Sequence, residues 1–497
     1  MTLAELYALT PFLILSGGIV LFLLFIAFNR SHRWAYSLTS LLLGVSLFAM
    51  IAYYGDLEAN IEIQEVFVID RVGLLFSGLI LLSCMVVSTL AFNFWEDYAG
   101  SNSDESDLPS EQLTERLSEF YLLLLLVALG ASLLVYSSHF VSFFICLELM
   151  NVAMYVLVAY PVTLSRRVEN TEASLEAGVK YLVMSAVASA TLLFGVALVF
   201  SAFGTLSFDA MANLQAVDDQ FASAGMVLII VAIAFKLSLV PFHMWAPDVY
   251  QGSPTPVTAI IATVSKGAIF AFLLRYFDAI NYLNFTVITH SLMLMALLSM
   301  FVGNWLALLQ EDIKRLLAYS SIAHVGYLLV ALLTLGMESS GMAIEAVCYY
   351  VVAYFITVLG AFAVLNALSS QSVKLHDIEG LVWRQPILAV VFIGMILSLA
   401  GIPLTVGFIG KFYLFAAGVS GELWILLMAL IAGSAIGLFY YLRMILLMIK
   451  TDFSIAPGQS EVLAVPVTSG LVLVGLTLLL VGLGVYPQPL INLVQQL

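Results

Sequence analysis

The sequence predicts an all-α polytopic membrane protein, a bundle of about 14 transmembrane helices, and three observations carry that prediction. Of 497 residues, 62% are hydrophobic and 10% charged, with a mean hydropathy of +1.08, whereas soluble domains carry about a quarter charged residues. The apolar residues gather in runs of roughly the 20 that cross a bilayer as a helix. Those runs do not alternate apolar with polar residues, as the strands of a membrane barrel would.

Taken in order and numbered one to fourteen, the expected spans are 8–29, 36–54, 73–95, 119–136, 138–160, 175–202, 223–245, 255–279, 285–308, 314–336, 342–368, 386–419, 422–449 and 463–486. Four regions follow: 1–118 with spans one to three, 119–280 with spans four to eight, 281–449 with spans nine to thirteen, and 450–497 with the last. The opening "MTLAELYALTPFLILSGG" has no basic lead and no small-residue cleavage site, so no removable signal peptide is expected.

Short loops rich in Lys and Arg mark the cytoplasmic side. Arg30 and Arg33 follow span one, Arg166 and Arg167 span five, Lys314 and Arg315 span nine, Lys374 and Arg384 span eleven, and Lys450 span thirteen. Loops after even-numbered spans hold little beyond Arg71 and Arg275. Both termini are therefore expected on the periplasmic side. The net charge of −15 is concentrated in 96–119, "EDYAGSNSDESDLPSEQLTERLSE", which reads as a solvated cytoplasmic loop, its acids lacking the spacing of a cation site.

Cys84, Cys146 and Cys348 lie singly in separate spans, without the spacing of a disulfide framework, zinc site or iron–sulfur site. No glycine-rich phosphate loop or dinucleotide fingerprint is present. No metal or redox cofactor is expected on this chain, and no nucleic-acid partner; its immediate surroundings are the lipid bilayer.

A charge at mid-membrane costs at least about 2.5–3.5 kcal/mol, so ionisable residues there are functional candidates. Glu148 falls near the centre of span five in "HFVSFFICLELMNVAMYVLVAY", Lys236 near the centre of span seven in "MVLIIVAIAFKLSLVPFHMWAPDVYQG", and Lys266 centrally in span eight in "PVTAIIATVSKGAIFAFLL". Lys411 lies in span twelve, "LSLAGIPLTVGFIGKFYLF". One acid cannot neutralise three amines, and a buried lysine shifts its protonation readily. The structural alternative for Glu148 and Lys236 is an ion pair pinning two helices, although removing both charges would be the cheaper design. Snorkelling to the interface suits Lys180 and Arg443 near span ends but not Lys266.

Two of these helices look broken. Pro241 follows Lys236, and Gly401, Pro403, Gly407 and Gly410 precede Lys411. Such interruptions free backbone groups that a membrane protein tolerates only where protein or water satisfies them. Broken helices beside ionisable residues are a usual construction of an ion pathway. The echo of "LSLVP" at 237–241 in "LSLAGIP" at 397–403 suggests one unit used twice, although lysine precedes proline in the first copy and follows it in the second. His324, central in span ten with Tyr319, Ser320 and Ser321, can pass protons either way or hold a neighbouring helix by a hydrogen bond; His243, near the cytoplasmic end of span seven, fits either role.

The stretches "FKLSLVPFHMWAPDVYQGSPTPVTAIIATVSKGAIF", "DIKRLLAYSSIAHVGYLLVAL" and "LSLAGIPLTVGFIGKFYLF" resemble signatures of the antiporter-like membrane subunits of respiratory complex I. "GSAIGLFYYLRMILLM" and "VYPQPL" resemble most the N-subunit branch of that family. The resemblance covers nearly the whole chain. It implies two inverted five-helix repeats, spans four to eight and nine to thirteen, with broken helices at spans seven and twelve. It places the family's relay residues on Glu148, Lys236, Lys266 and Lys411; the lysine at span twelve fits this branch better than a sister branch that carries glutamate there. It implies proton translocation in a NADH:quinone oxidoreductase of the bacterial inner membrane. Flavin (FMN), iron–sulfur clusters and quinone would belong to partner subunits, and the neighbours would be sister antiporter-like subunits and small membrane subunits. The alternative is a subunit of a multisubunit sodium/proton antiporter; a third reading is a membrane scaffold whose lysines are relics.

Overall fold

A computed structural model describes residues 2–28, 30–56, 60–101, 116–164, 171–213, 220–280, 286–337, 340–368, 373–450 and 465–497. Arg166, Arg167 and most of the acidic 96–119 stretch lie outside these residues. Among the described residues eleven helices are long and apolar enough to cross a membrane, and shorter apolar helices fill the remaining expected positions. The expected runs and the observed helices coincide closely, because an apolar run in a bilayer has no way to satisfy its backbone except as a helix. Span six is longer than expected, Thr171–Phe203, and span ten begins at Ile313.

Helix ends follow local chemistry. His139 caps span five (Phe140–Val158), its Nδ1 accepting the Val141 N–H at 3.1 Å. Asp312 caps span ten (Ile313–Leu332) by accepting the Arg315 N–H at 3.0 Å. That cap corrects the reading of Lys314 as a cytoplasmic loop charge: the helix starts before it, and its side chain is buried. A short hairpin, Ile61–Ile63 paired with Phe67–Ile69, precedes span three.

The two expected breaks are present, with sharper limits than the sequence suggests. Span seven does not run on to residue 245: its helix, Gln220–Lys236, stops at the lysine, and a turn region leads to a second helix, Trp245–Gly252. Span twelve divides into Pro386–Ala400 and Val406–Ser420. Each break contains a non-glycine residue in the left-handed region, Ser238 (φ 57°) and Leu404 (φ 73°), a conformation that costs about 1–3 kcal/mol and persists only where the surroundings impose it.

Contacts divide the chain into two units, Met1–Ser238 with Gly252–Leu292, and Leu239–Gln251 with Met293–Gln496. In the first, the most apolar stretch of span eight (Thr255–Ile280) is wholly buried, whereas that of span six is 28% buried. In the second, spans ten and eleven (Ser340–Leu368) reach 89% against 28% for span fourteen (Val467–Val485). The helices carrying Lys266 and His324 are thus interior ones, away from the apolar rim.

Candidate functional site

Two polar clusters occupy the interior, one in each unit. In the first, span six presents Ser185 and Ser189, four residues apart and so on one helical face, separated by about 6 Å of rise. Ser189 donates to Glu148 Oε1 at 2.6 Å, and Asn151 Nδ2 donates to the same oxygen at 3.3 Å. Lys236 Nζ donates to Ser185 Oγ, and Tyr155 donates to that oxygen at 2.5 Å. Glu148 and Lys236 are therefore held by two serines one turn apart on span six, without an ion pair between them. Both acceptor positions of Ser185 are used, so its own proton remains free to be donated.

Close helix packing sets this geometry. A Cβ on Gly195 would meet the Gly225 carbonyl at 2.8 Å, and one on Gly225 would meet the Gly195 carbonyl at 2.7 Å. Spans six and seven thus cross glycine on glycine, and Ser185, ten residues before Gly195, comes opposite Lys236, eleven residues after Gly225.

Lys266 is 3% exposed and directly follows a π-helical turn, Ile261–Ser265. Such turns insert one extra residue and are frequent at functional sites. The space beside Lys236 is lined by apolar side chains such as Phe143, Leu147 and Ile233, together with Ile269 one turn beyond Lys266. It leaves no room for a water centre. In this conformation the first cluster is closed on that side.

The second cluster surrounds the break in span twelve. Lys411 Nζ donates to the carbonyl of Ala400, the last residue of the preceding half-helix, at 2.9 Å, and lies 5.4 Å from the Tyr327 ring centroid. A cation there satisfies an unpaired helix-end carbonyl and meets the negative end of the helix dipole. Gly401 (φ 83°) makes the turn, and a Cβ on it would meet Lys411 Cδ at 2.8 Å. His324 is bonded on both nitrogens, Nδ1 to Tyr350 OH at 2.6 Å and Nε2 to Tyr441 OH at 3.4 Å; Tyr441 also meets Ser320. His324, Tyr350, Thr357, Ser398 and Lys411 line a shared cavity with about 10 Å³ free for a water centre, near the ~10–15 Å³ needed to hold one water.

Of the residues singled out from sequence, the structure thus brings Glu148 and Lys236 together through serines, and His324 and Lys411 around a cavity. Lys266 stands at its π turn. His243 falls in the turn region between the two helices of span seven, 6.4 Å from the Tyr319 ring, with no side-chain partner for its ring nitrogens among the described residues. Sequence reasoning missed Ser185, Ser189, Tyr155, Tyr350, Ser398 and Tyr441. The i, i+4 serine pair in "VMSAVASATLL" was the available signal. Lys180 pairs with Glu176 at 2.6 Å on an exposed face.

A family model described as NADH:quinone oxidoreductase/Mrp antiporter, transmembrane, matches residues 137–437. The chain belongs to that family. All six residues proposed from sequence fall inside the matched segment. Among curated members, NADH-quinone oxidoreductase subunit N of Methylococcus capsulatus is 42% identical over 99% of this chain and 95% of its own length. The subunit of that name from Ectopseudomonas mendocina is 41% identical over 99% and 96%. Among solved structures, a chain of respiratory complex I from Thermus thermophilus superposes with a TM-score of 0.79 at 31% identity, covering 97% of this chain and 98% of that one. A chain of the Mrp complex from Dietzia has a TM-score of 0.80 at 21% identity, over 100% and 97%, and shows the fold alone.

Proposed function

We propose that this family member is the proton-translocating N-type membrane subunit of a bacterial NADH:quinone oxidoreductase, driven by electron transfer in partner subunits. The observation that carries this reading is a buried amine, Lys236, bonded to Ser185, one turn along span six from Ser189, which bonds the carboxylate of Glu148. Packing needs none of these charges. A carboxylate brought nearer holds the proton on Lys236, and one drawn away lets it leave. Because the space between Lys236 and Ile269 is apolar and closed, transfer onward to Lys266 requires that gap to widen and admit water. The stage in the second unit is the cavity of His324, Tyr350 and Lys411, where a hydrogen-bonded histidine accepts on one nitrogen and donates from the other. Lys411 then releases the proton outward.

Moving one charge against the membrane potential costs about 2.3 kcal/mol per 100 mV, so each stage needs only a few pKa units of swing. In the same reading spans four to eight and nine to thirteen are inverted repeats, both termini are periplasmic, sister antiporter-like and small membrane subunits are the neighbours, and FMN, iron–sulfur clusters and quinone are held by partners. Lys236→Ala in the assembled enzyme is expected to lower protons pumped per NADH oxidised; full pumping with normal assembly would remove Lys236 from the path. The shared family favours one second reading, a sodium/proton antiporter subunit. Flavin and iron–sulfur absorbance in the purified native complex separates the two, since the antiporter has neither.

A further inference from the structure

One buried ionisable group has no part in that relay. Lys314 is 3% exposed and stands second in the helix of span ten, one residue from its start at Ile313. A cation there opposes the positive end of the helix dipole and is withdrawn from water, so the position is an expensive one to keep for packing alone. Its neighbour Arg315 is fully engaged elsewhere. Nη1 of Arg315 holds Asp248 at 2.6 Å and Gln251 at 3.0 Å, and its Nε holds Gln310 at 3.3 Å. Asp312, two residues before Lys314, is a neighbouring carboxylate. It caps the helix through Oδ1 and receives Gln251 through Oδ2 at 3.3 Å.

The rest of the helix gives Lys314 a direction. Ser321 lies seven residues on, two turns along the same stripe and about 10 Å away. Its hydroxyl is 3.4 Å from that of Tyr250, and His324 is one turn beyond it. Other charged groups around this helix are Glu311 just before it, Lys374, whose backbone bridges Asp312, and Glu345, Lys411 and Arg443 on the spans packed against it.

We propose that Lys314 is a further proton-carrying residue. Its amine takes up a proton when water reaches the start of span ten, with Asp312 as counter-charge, and gives it up toward the Ser321–His324 face. The assignment rests on the proton-carrying reading above, and its test separates the two.

The measurement is protons pumped per NADH oxidised in membrane vesicles bearing the full complex, normalised to assembled enzyme. Lys314→Arg keeps the positive charge but cannot release a proton at working pH, whereas histidine can. The expected result is a loss with Lys314→Arg as large as that with Lys411→Ala, and partial recovery with Lys314→His at an optimum displaced to lower pH. Wild-type pumping by Lys314→Arg alongside a defective Lys314→Gln overturns the proposal and leaves Lys314 a counter-charge to Asp312. If Lys314→Gln prevents assembly, the arginine and histidine arms decide alone. Wild-type pumping by every Lys314 variant while Lys411→Ala fails also overturns it. Normal pumping by Lys411→Ala counts instead against the underlying relay.

Discussion

Ser185 shows how much of this site depends on neutral side chains. It receives both Lys236 and Tyr155, and one turn away Ser189 holds Glu148. A hydrogen bond to a charged group contributes about 1.5–3 kcal/mol, enough to slow a transfer that depends on it roughly tenfold or more. Ser185→Ala is therefore expected to reduce protons pumped per NADH while the amount of assembled complex stays normal, with Ser185→Thr close to wild type. Dye quenching in inverted vesicles, compared with complex abundance on native gels, checks this. Tyr350→Phe removes the hydroxyl at His324 Nδ1 and should show the same split; loss of assembly instead would mark the tyrosine as structural. Four of the candidate residues were visible in the sequence because a charge in an apolar run stands out. The serines and tyrosines were not, because a hydroxyl in a membrane helix usually bonds back to its own chain and carries no signal of its own.

At the scale of elements, the breaks in spans seven and twelve hold their lysines differently. Lys236 is the last residue of its half-helix, whereas Lys411 reaches back from the second half-helix to the end of the first. Each break thus carries an amine, reached from a different side of the proline. The second break is held by contact as well as by torsion: a Cβ on Gly407 would sit 2.0 Å from the Ser398 carbonyl. Gly407→Ala should force the half-helices apart, with a cost of about 1–3 kcal/mol typical of overpacking. A lowered thermal midpoint of the complex together with reduced pumping is the expected result, and an unchanged midpoint would show that the break tolerates the methyl. Gly225→Leu, at the crossing of spans six and seven, should be more damaging because a whole leucine side chain would have to enter a space where a Cβ alone already meets the Gly195 carbonyl at 2.7 Å and Val199 at 2.9 Å.

Across the whole molecule the helical bundle was legible to within a few residues at most span ends, since a bilayer demands long apolar helices and little else competes. The proposed orientation, read from charge in the loops, predicts that a phosphatase fused at Leu497 is active in the periplasm while a fluorescent protein placed there is dark. The opposite pair of signals would invert the topology. Replacing 102–115 by a short neutral linker should leave pumping unchanged, since the acids there have the pattern of a solvated loop. Less legible was depth within each unit. Spans six and eight are similarly apolar, yet only span eight is interior throughout its most apolar stretch, because in a membrane the lipid-facing and buried faces are both apolar and hydropathy cannot tell them apart.

By itself the sequence determined that this chain spans a membrane, which runs form its helices, and which charges would have to be housed between them. It did so because burying a charge or an unpaired backbone group in hydrocarbon is costly enough to constrain every residue nearby. Only the tertiary structure decided that neighbouring serines of span six hold Glu148 and Lys236, that Lys411 closes a helix end, and that Lys314 is inside rather than in a loop. Those outcomes depend on which helix faces meet, and glycine crossings and caps set that over distances no local pattern encodes.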